Sequence, residues 1–108
     1  MIAVQARYFK ALCRYSVSLS YIGKREESYA KGKQAVKMGS LLVKKNRDRY
    51  EPGYAKSLRN YASHLSDVGQ YVSAMEKQFK AIDLIGRFYQ KLPRKYGVYL
   101  GGVYFNMI

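Results

Sequence analysis

The chain is poor in most of what a catalytic or disulfide-built protein relies on. Of its 108 residues only seven are Asp or Glu, two are Pro, one is His, one is Cys, and Trp is absent. The single thiol, Cys13, excludes an internal disulfide framework and suits a reducing compartment. One His and one Cys cannot supply the ligand cluster of a zinc site, so neither metal nor cofactor is expected. Long apolar runs are lacking too: nothing approaches the ~20 uncharged residues of a membrane span. Arg7 and Lys10 interrupt the opening segment where a signal peptide needs its apolar core. These absences lead to the expectation of a cytoplasmic chain without membrane attachment.

What the chain has in plenty is positive charge and tyrosine. Twenty Lys and Arg give a formal net charge of +13, and 48% of the residues are hydrophobic, with twelve Tyr and four Phe. Such a content of apolar and aromatic side chains excludes disorder throughout. The length suits one small domain that buries roughly 60–70% of its unfolded surface, which leaves little depth for a catalytic cleft. The residues agree: His64 has no Ser or Cys beside it in any catalytic motif, the carboxylates are scattered, and Gly101-Gly102 lies in an apolar tail unlike a phosphate loop. A protein without catalytic activity is expected.

The sequence repeats itself. At an offset of 46, Tyr8, Lys10, Leu12, Tyr15, Leu19, Ser20, Gly23, Lys31 and Ala35 fall on Tyr54, Lys56, Leu58, Tyr61, Leu65, Ser66, Gly69, Lys77 and Ala81. Ser16, Ile22, Ser28 and Val36 fall on Ala62, Val68, Ala74 and Ile82. Apolar positions step by three and four, as in Leu12, Tyr15, Ser16, Leu19, Ile22, the spacing of a helix face. A second run follows each first one: Ser28, Gly32, Ala35, Val36, Gly39, Leu42, Val43, and then Ala74, Met75, Gln78, Ala81, Ile82, Ile85, Phe88, Tyr89. Gly23 and Gly69 stand between the paired runs, where a left-handed residue ends a helix. Each unit therefore reads as a helical hairpin, with Asn46 to Gly53 and the region of Pro93 and Gly97 as loops between units. An ordinary four-helix bundle is the alternative, but nine identities on packing positions favour a repeat.

The units resemble tetratricopeptide repeats. The resemblance rests on Leu19-Ser-Tyr-Ile-Gly-Lys-Arg-Glu-Glu-Ser28 with Ala35, and on Leu65-Ser-Asp-Val-Gly-Gln-Tyr-Val-Ser-Ala74 with Ala81. It covers most of residues 8–92. The period of 46 exceeds the family's usual ~34 and is similar to the longer repeats of kinesin light chains and of fungal and bacterial arrays. Gly32 and Gln78 stand where the family prefers a large apolar residue. The resemblance implies an all-α fold: an antiparallel helix-hairpin solenoid, wound as a right-handed superhelix, whose groove of first helices binds peptides. The expected organisation is repeat 1 with its loop over 1–53, repeat 2 with its loop over 54–97, and the first helix of a partial third repeat over 98–108. That fragment rests on Tyr104 and Met107, which fall on Leu58 and Tyr61, and leads to the expectation of an excerpt of a longer array or of self-association.

The groove is expected to carry the first-helix residues left outside the packing stripe: Lys10, Cys13, Arg14 and Val17 from unit one, Lys56, Arg59, Asn60 and Ser63 from unit two. A basic floor with hydroxyls favours an acidic or phosphorylated extended protein segment as partner. Some family members clamp a C-terminal carboxylate with Lys and Asn on their first helices, whereas Cys13 and Val17 occupy those places here. Residues 1–50 hold a balance of +9 and residues 51–108 only +4. Much of the excess lies along the second helix of unit one, where Lys31, Lys37 and Lys44 form a basic ridge. The alternative function is therefore a helical module that binds RNA or DNA through phosphate contacts. Tyr8, Tyr15, Tyr54 and Tyr61 recur at packing positions and are expected in the core, not as stacking platforms for bases.

Overall fold

The computed structural model describes residues 2–91, with side chains to Arg87. These residues form α1 (Ile2–Tyr21), α2 (Arg25–Lys45), α3 (Arg47–Asp67) and α4 (Tyr71–Lys91), with no strand among them. The fold is all-α. The region assigned to a third repeat, 98–108, lies outside the described residues, as do Pro93, Gly97 and the side chains of Phe88 and Tyr89.

Both hairpin turns are built alike. Gly23 has φ 81° and Gly69 φ 84°, the left-handed region that costs an L side chain roughly 1–2 kcal/mol. At the first turn the Lys24 N–H donates to the Leu19 carbonyl (2.9 Å) and the Gly23 N–H to Ser20 (3.1 Å). At the second, Gln70 donates to Leu65 (2.9 Å) and Gly69 to Ser66 (3.0 Å). This pair of bonds is a Schellman closure, which satisfies two of the carbonyls a helix end would otherwise leave open.

The junction between α2 and α3 corrects the expected loop over Asn46 to Gly53. Only Asn46 separates the helices, extended at φ −154° and ψ 97°. Its side chain caps α3 by accepting from the Arg49 N–H at 3.2 Å, and Asp48 places a negative charge in the first turn. Pro52 sits inside α3 and contributes no N–H to it. The helix runs through it because the flanking residues are held: Glu51 is buried and accepts from Arg47 Nε at 3.1 Å, and Tyr54 and Ala55 enter the core. Punctuation residues misled the reading here.

Each helix packs on its neighbours in sequence; α1 also meets α3 directly, whereas α2 and α4 do not meet. The small residues of the repeat all lie at close approaches: Ser16, Ser28, Ala35, Ala62, Ala74 and Ala81 are buried. Leu42, Leu58 and Leu65 are almost wholly enclosed, each stabilising by roughly 1.5–3 kcal/mol. On α2 the approach is closer still. A Cβ on Gly32 would lie 2.7 Å from His64 Cδ2, and one on Gly39 2.8 Å from Phe9 and 2.9 Å from Tyr54. Aromatic rings from α1 and α3 fill the space these glycines leave.

The expected burial holds at α2 and α3 and fails on the outer sides of α1 and α4. Tyr54 and Tyr61 are buried, but their counterparts Tyr8 and Tyr15 are 52% and 49% exposed, so they are not core residues. The inner helix α3 lies between α2 and α4, whereas among the described residues no helix covers those two rings on α1. Phe9, one residue along, fills the core instead. Met75 and Gln78 on the outer side of α4 are exposed among the described residues, and Ile22 is exposed because it sits in the turn.

Ala at an interior helical position ordinarily stabilises over Gly by ~0.5–1 kcal/mol. Gly39→Ala is expected to do the reverse, lowering stability by about 1–3 kcal/mol, because two rings must move. Urea unfolding midpoints of the two proteins check this.

Candidate functional site

Six cationic side chains converge along α1 and α3. From α1 come Arg7, Lys10 and Arg14, and from α3 come Arg49, Lys56 and Arg59; all line a chain of adjoining hollows. One hollow of about 500 Å³ lies between Arg7 and Arg49, beside Ala6 and Tyr50. The next, about 750 Å³, is walled by Lys10, Arg14, Lys56 and Asn60 over a floor of Phe9, Cys13 and Val17. A third, about 640 Å³, opens between α3 and α4 and is lined by Arg59, Asn60, Ser63, Ser66 and Asp67 among others. Asp67 is the one carboxylate among these linings, and it already accepts from the Ser20 hydroxyl at 3.4 Å across the helix ends.

The sequence-derived groove residues are thus divided between two neighbouring hollows. Lys10, Cys13, Arg14, Val17, Lys56 and Asn60 come together between α1 and α3. Arg59 and Ser63 line the α3–α4 hollow, and Asn60 borders both. Sequence reasoning missed Arg7 and Arg49, which extend the cationic line toward the start of α1; the single-residue junction at Asn46 brings Arg49 there. The ridge residues lie apart on α2. Lys37 and Lys44 are exposed, and Lys31 Nζ lies 5.9 Å from the centre of the Tyr15 ring.

The groove floor is electrically neutral. Burial pushes the Cys13 thiol up to about 11, opposed only in part by the charge of Lys56. Its thiolate, the nucleophilic form, is therefore scarce at neutral pH. Behind the floor, Ser16 donates to the Cys13 carbonyl at 2.8 Å and lies 3.2 Å from His64 Nε2. With the hydroxyl proton committed to the carbonyl, His64 Nε2 is the donor to Ser16, and Nδ1 is left buried with no partner among the described residues. This Ser–His contact joins residues 48 apart in sequence and is absent from any local motif. Its hydroxyl points away from the imidazole, Ser16 is 1% exposed, and no carboxylate orients Nδ1, so it lacks the arrangement of a nucleophile and its base. It is a tie between α1 and α3. Beside it, burial and a hydrogen bond with Tyr29 push the Tyr61 phenol up to about 12 and keep it neutral.

Among the described residues no three His, Cys, Asp or Glu side chains gather into a metal-binding group, and no helix is long and apolar enough to cross a membrane. Comparison of the chain with known protein families, curated proteins and solved structures finds no match.

Two titrations follow from this geometry. Burial lowers the His64 pKa from its ordinary 6.5, with Asp67 as the smaller, opposing influence. The unfolded chain therefore takes up the proton first, and the His64 contribution is full above about pH 6.5 and is lost as pH falls below it. Urea midpoints at pH 7.5 and 5.5 are expected to show that loss, and His64→Gln, which keeps a donor for Ser16, to flatten it. Cys13 is expected to alkylate with a rate that rises toward pH 11. At pH 7.5 its thiolate fraction is about a hundredfold below that of an ordinary thiol. Iodoacetamide kinetics across pH measure it, and Lys56→Ala is expected to slow the reaction further.

Proposed function

We propose that the chain is a non-catalytic interaction module, a tetratricopeptide-like solenoid of helical hairpins that binds an extended acidic segment of another protein along α1 and α3. The observation that carries this reading is the meeting of Arg7, Lys10 and Arg14 of α1 with Arg49 and Lys56 of α3 around two adjoining hollows, one of them floored by the neutral Phe9, Cys13 and Val17. Carboxylates or phosphates of a bound segment meet Arg7, Lys10, Arg14, Arg49 and Lys56 in charge-assisted hydrogen bonds. Apolar side chains between them rest on the floor. An extended chain suits the site because the hollows follow one another along the helices. The repeat relation supports the solenoid reading: two hairpins 46 residues apart close with the same Schellman bonds and bury the same small residues.

A second reading, binding of RNA or DNA, draws on the exposed side of α2 and its neighbours. Lys37 and Lys44 are open to solvent, and Tyr15 with Lys31 over its ring, together with Tyr8, presents accessible rings on the neighbouring helix. The two readings place binding on different residues. In the first, Lys10→Gln, Arg14→Gln and Lys56→Gln together weaken an acidic peptide by at least about tenfold, roughly 1.4 kcal/mol, while Lys31→Gln, Lys37→Gln and Lys44→Gln leave it nearly unchanged. Titration with an acidic peptide and a nonspecific oligonucleotide, each at two salt concentrations, reads this out. Oligonucleotide binding that is tighter than peptide binding and is lost with the α2 triple variant rejects the first reading.

A further inference from the structure

Between the two hollows ringed by the cations of α1 and α3 lies a smaller slot of about 330 Å³, lined by Ala6, Phe9, Lys10, Arg49, Tyr50 and Gly53. It shares Ala6, Lys10, Arg49 and Tyr50 with the hollow on one side, and Phe9, Lys10 and Gly53 with the hollow on the other. Its size lies at the low end of the roughly 300–1,000 Å³ of ligand sites, which suits one side chain. Two small residues open it. Gly53 stands inside α3 with no left-handed φ to require glycine, and a Cβ there would lie 3.3 Å from Phe9 Cε2. Ala6 is its counterpart on α1. Two rings wall the slot: Phe9 belongs to a core cluster, Tyr50 packs against that cluster, and the Arg49 guanidinium lies 5.6 Å from the centre of the Tyr50 ring. Arg7 joins Lys10 and Arg49 in the adjoining hollow, and among the described residues no carboxylate lines either space.

We propose that this slot receives a phosphotyrosine of the bound segment, with its ring against Phe9 and Tyr50 and its phosphate on Arg7, Lys10 and Arg49. The inference rests on the reading of α1 and α3 as the site of an acidic segment, and it names the residue that anchors that segment. The chemistry of the lining selects the ligand. A Glu, Asp or phosphoserine side chain meets the cations but carries no apolar group to the rings. Phe or unmodified Tyr fills the apolar slot and leaves the cations without a counter-charge. An aryl phosphate supplies both: its ring gives the apolar contact, and its nearly dianionic group takes charge-assisted hydrogen bonds, bidentate from a planar Arg fork.

Fluorescence anisotropy on the full chain tests this, with one acidic peptide sequence that carries phosphotyrosine, tyrosine or phosphoserine at its centre. The phosphotyrosine peptide is expected to bind at least about tenfold tighter than either of the others. Phenyl phosphate is expected to displace it at concentrations where inorganic phosphate does not. Ala6→Leu, which fills the slot, and Arg49→Gln, at an exposed side chain outside the core, are each expected to reduce the preference over phosphoserine to about twofold or less. Equal binding of the phosphotyrosine and phosphoserine peptides overturns the proposal and leaves the acidic-segment reading standing, because charge alone then decides. Equal binding of the phosphotyrosine and tyrosine peptides overturns it as well, since the phosphate then meets no cation. A preference that survives both variants overturns the slot as its source, and failure of all three peptides to bind overturns the acidic-segment reading together with it.

Discussion

Everything in this molecule depends on how closely α2 is approached from both sides. Gly32 and Gly39 remove the side chains that would hold the neighbours off, and four rings, from Phe9, Tyr54, Tyr61 and His64, enter the space. Buried Ser28 and Ala35 on the same helix continue this thin profile. Glycine inside a helix costs roughly 0.5–1 kcal/mol relative to alanine, and here ring burial on both sides offsets that cost. With α2 so narrow, α1 and α3 are drawn round it until they touch each other, and Ser16 and His64 bond across that contact.

The cationic line is a consequence of the same geometry. Arg7, Lys10 and Arg14 follow one another along α1, and Arg49, Lys56 and Arg59 along α3, so each helix alone would be an ordinary solvated surface. Side by side, Arg7, Lys10 and Arg14 meet Arg49 and Lys56 around two adjoining hollows, and Phe9, Cys13 and Val17 on the floor stay neutral, while Arg59 borders the hollow between α3 and α4. A thiol held near pKa 11 and an imidazole disfavoured as a cation add no charge of their own, which leaves the walls to set the field. The same burial disfavours the charged forms of both Cys13 and His64.

Much of the fold was legible because its signals are local. The helical stripes, the left-handed glycines and the small residues at close approaches all follow from spacing within one helix or one turn. Tyr8 and Tyr15 were misread because a repeat pattern assigns a position to a face without telling whether a neighbour covers it. Pro52 was misread as punctuation because the cap that starts α3 lies six residues earlier, at Asn46. The groove residues were found from the face opposite the packing stripe, but their division between two hollows depends on where α4 sits, and that is a tertiary fact. No sequence signal links Ser16 with His64, since they occupy different positions within their units.

The exposed rings of α1 have a consequence for assembly. Tyr8 and Tyr15 hold the same positions as Tyr54 and Tyr61, which cover α2, while Met75 and Ile82 hold those of Tyr29 and Val36, which α3 covers. The step that carries one half of the molecule onto the other therefore also matches this side of α4 in one copy to that side of α1 in the next. Contacts of that kind are heterologous, head to tail, and unless the rotation closes a ring they extend into fibres, unlike the self-limiting pairing about a two-fold axis. The two ends differ in wettability as well: tyrosines with a lysine beside them at one, bare aliphatic and phenyl groups at the other. Any such growth has a direction.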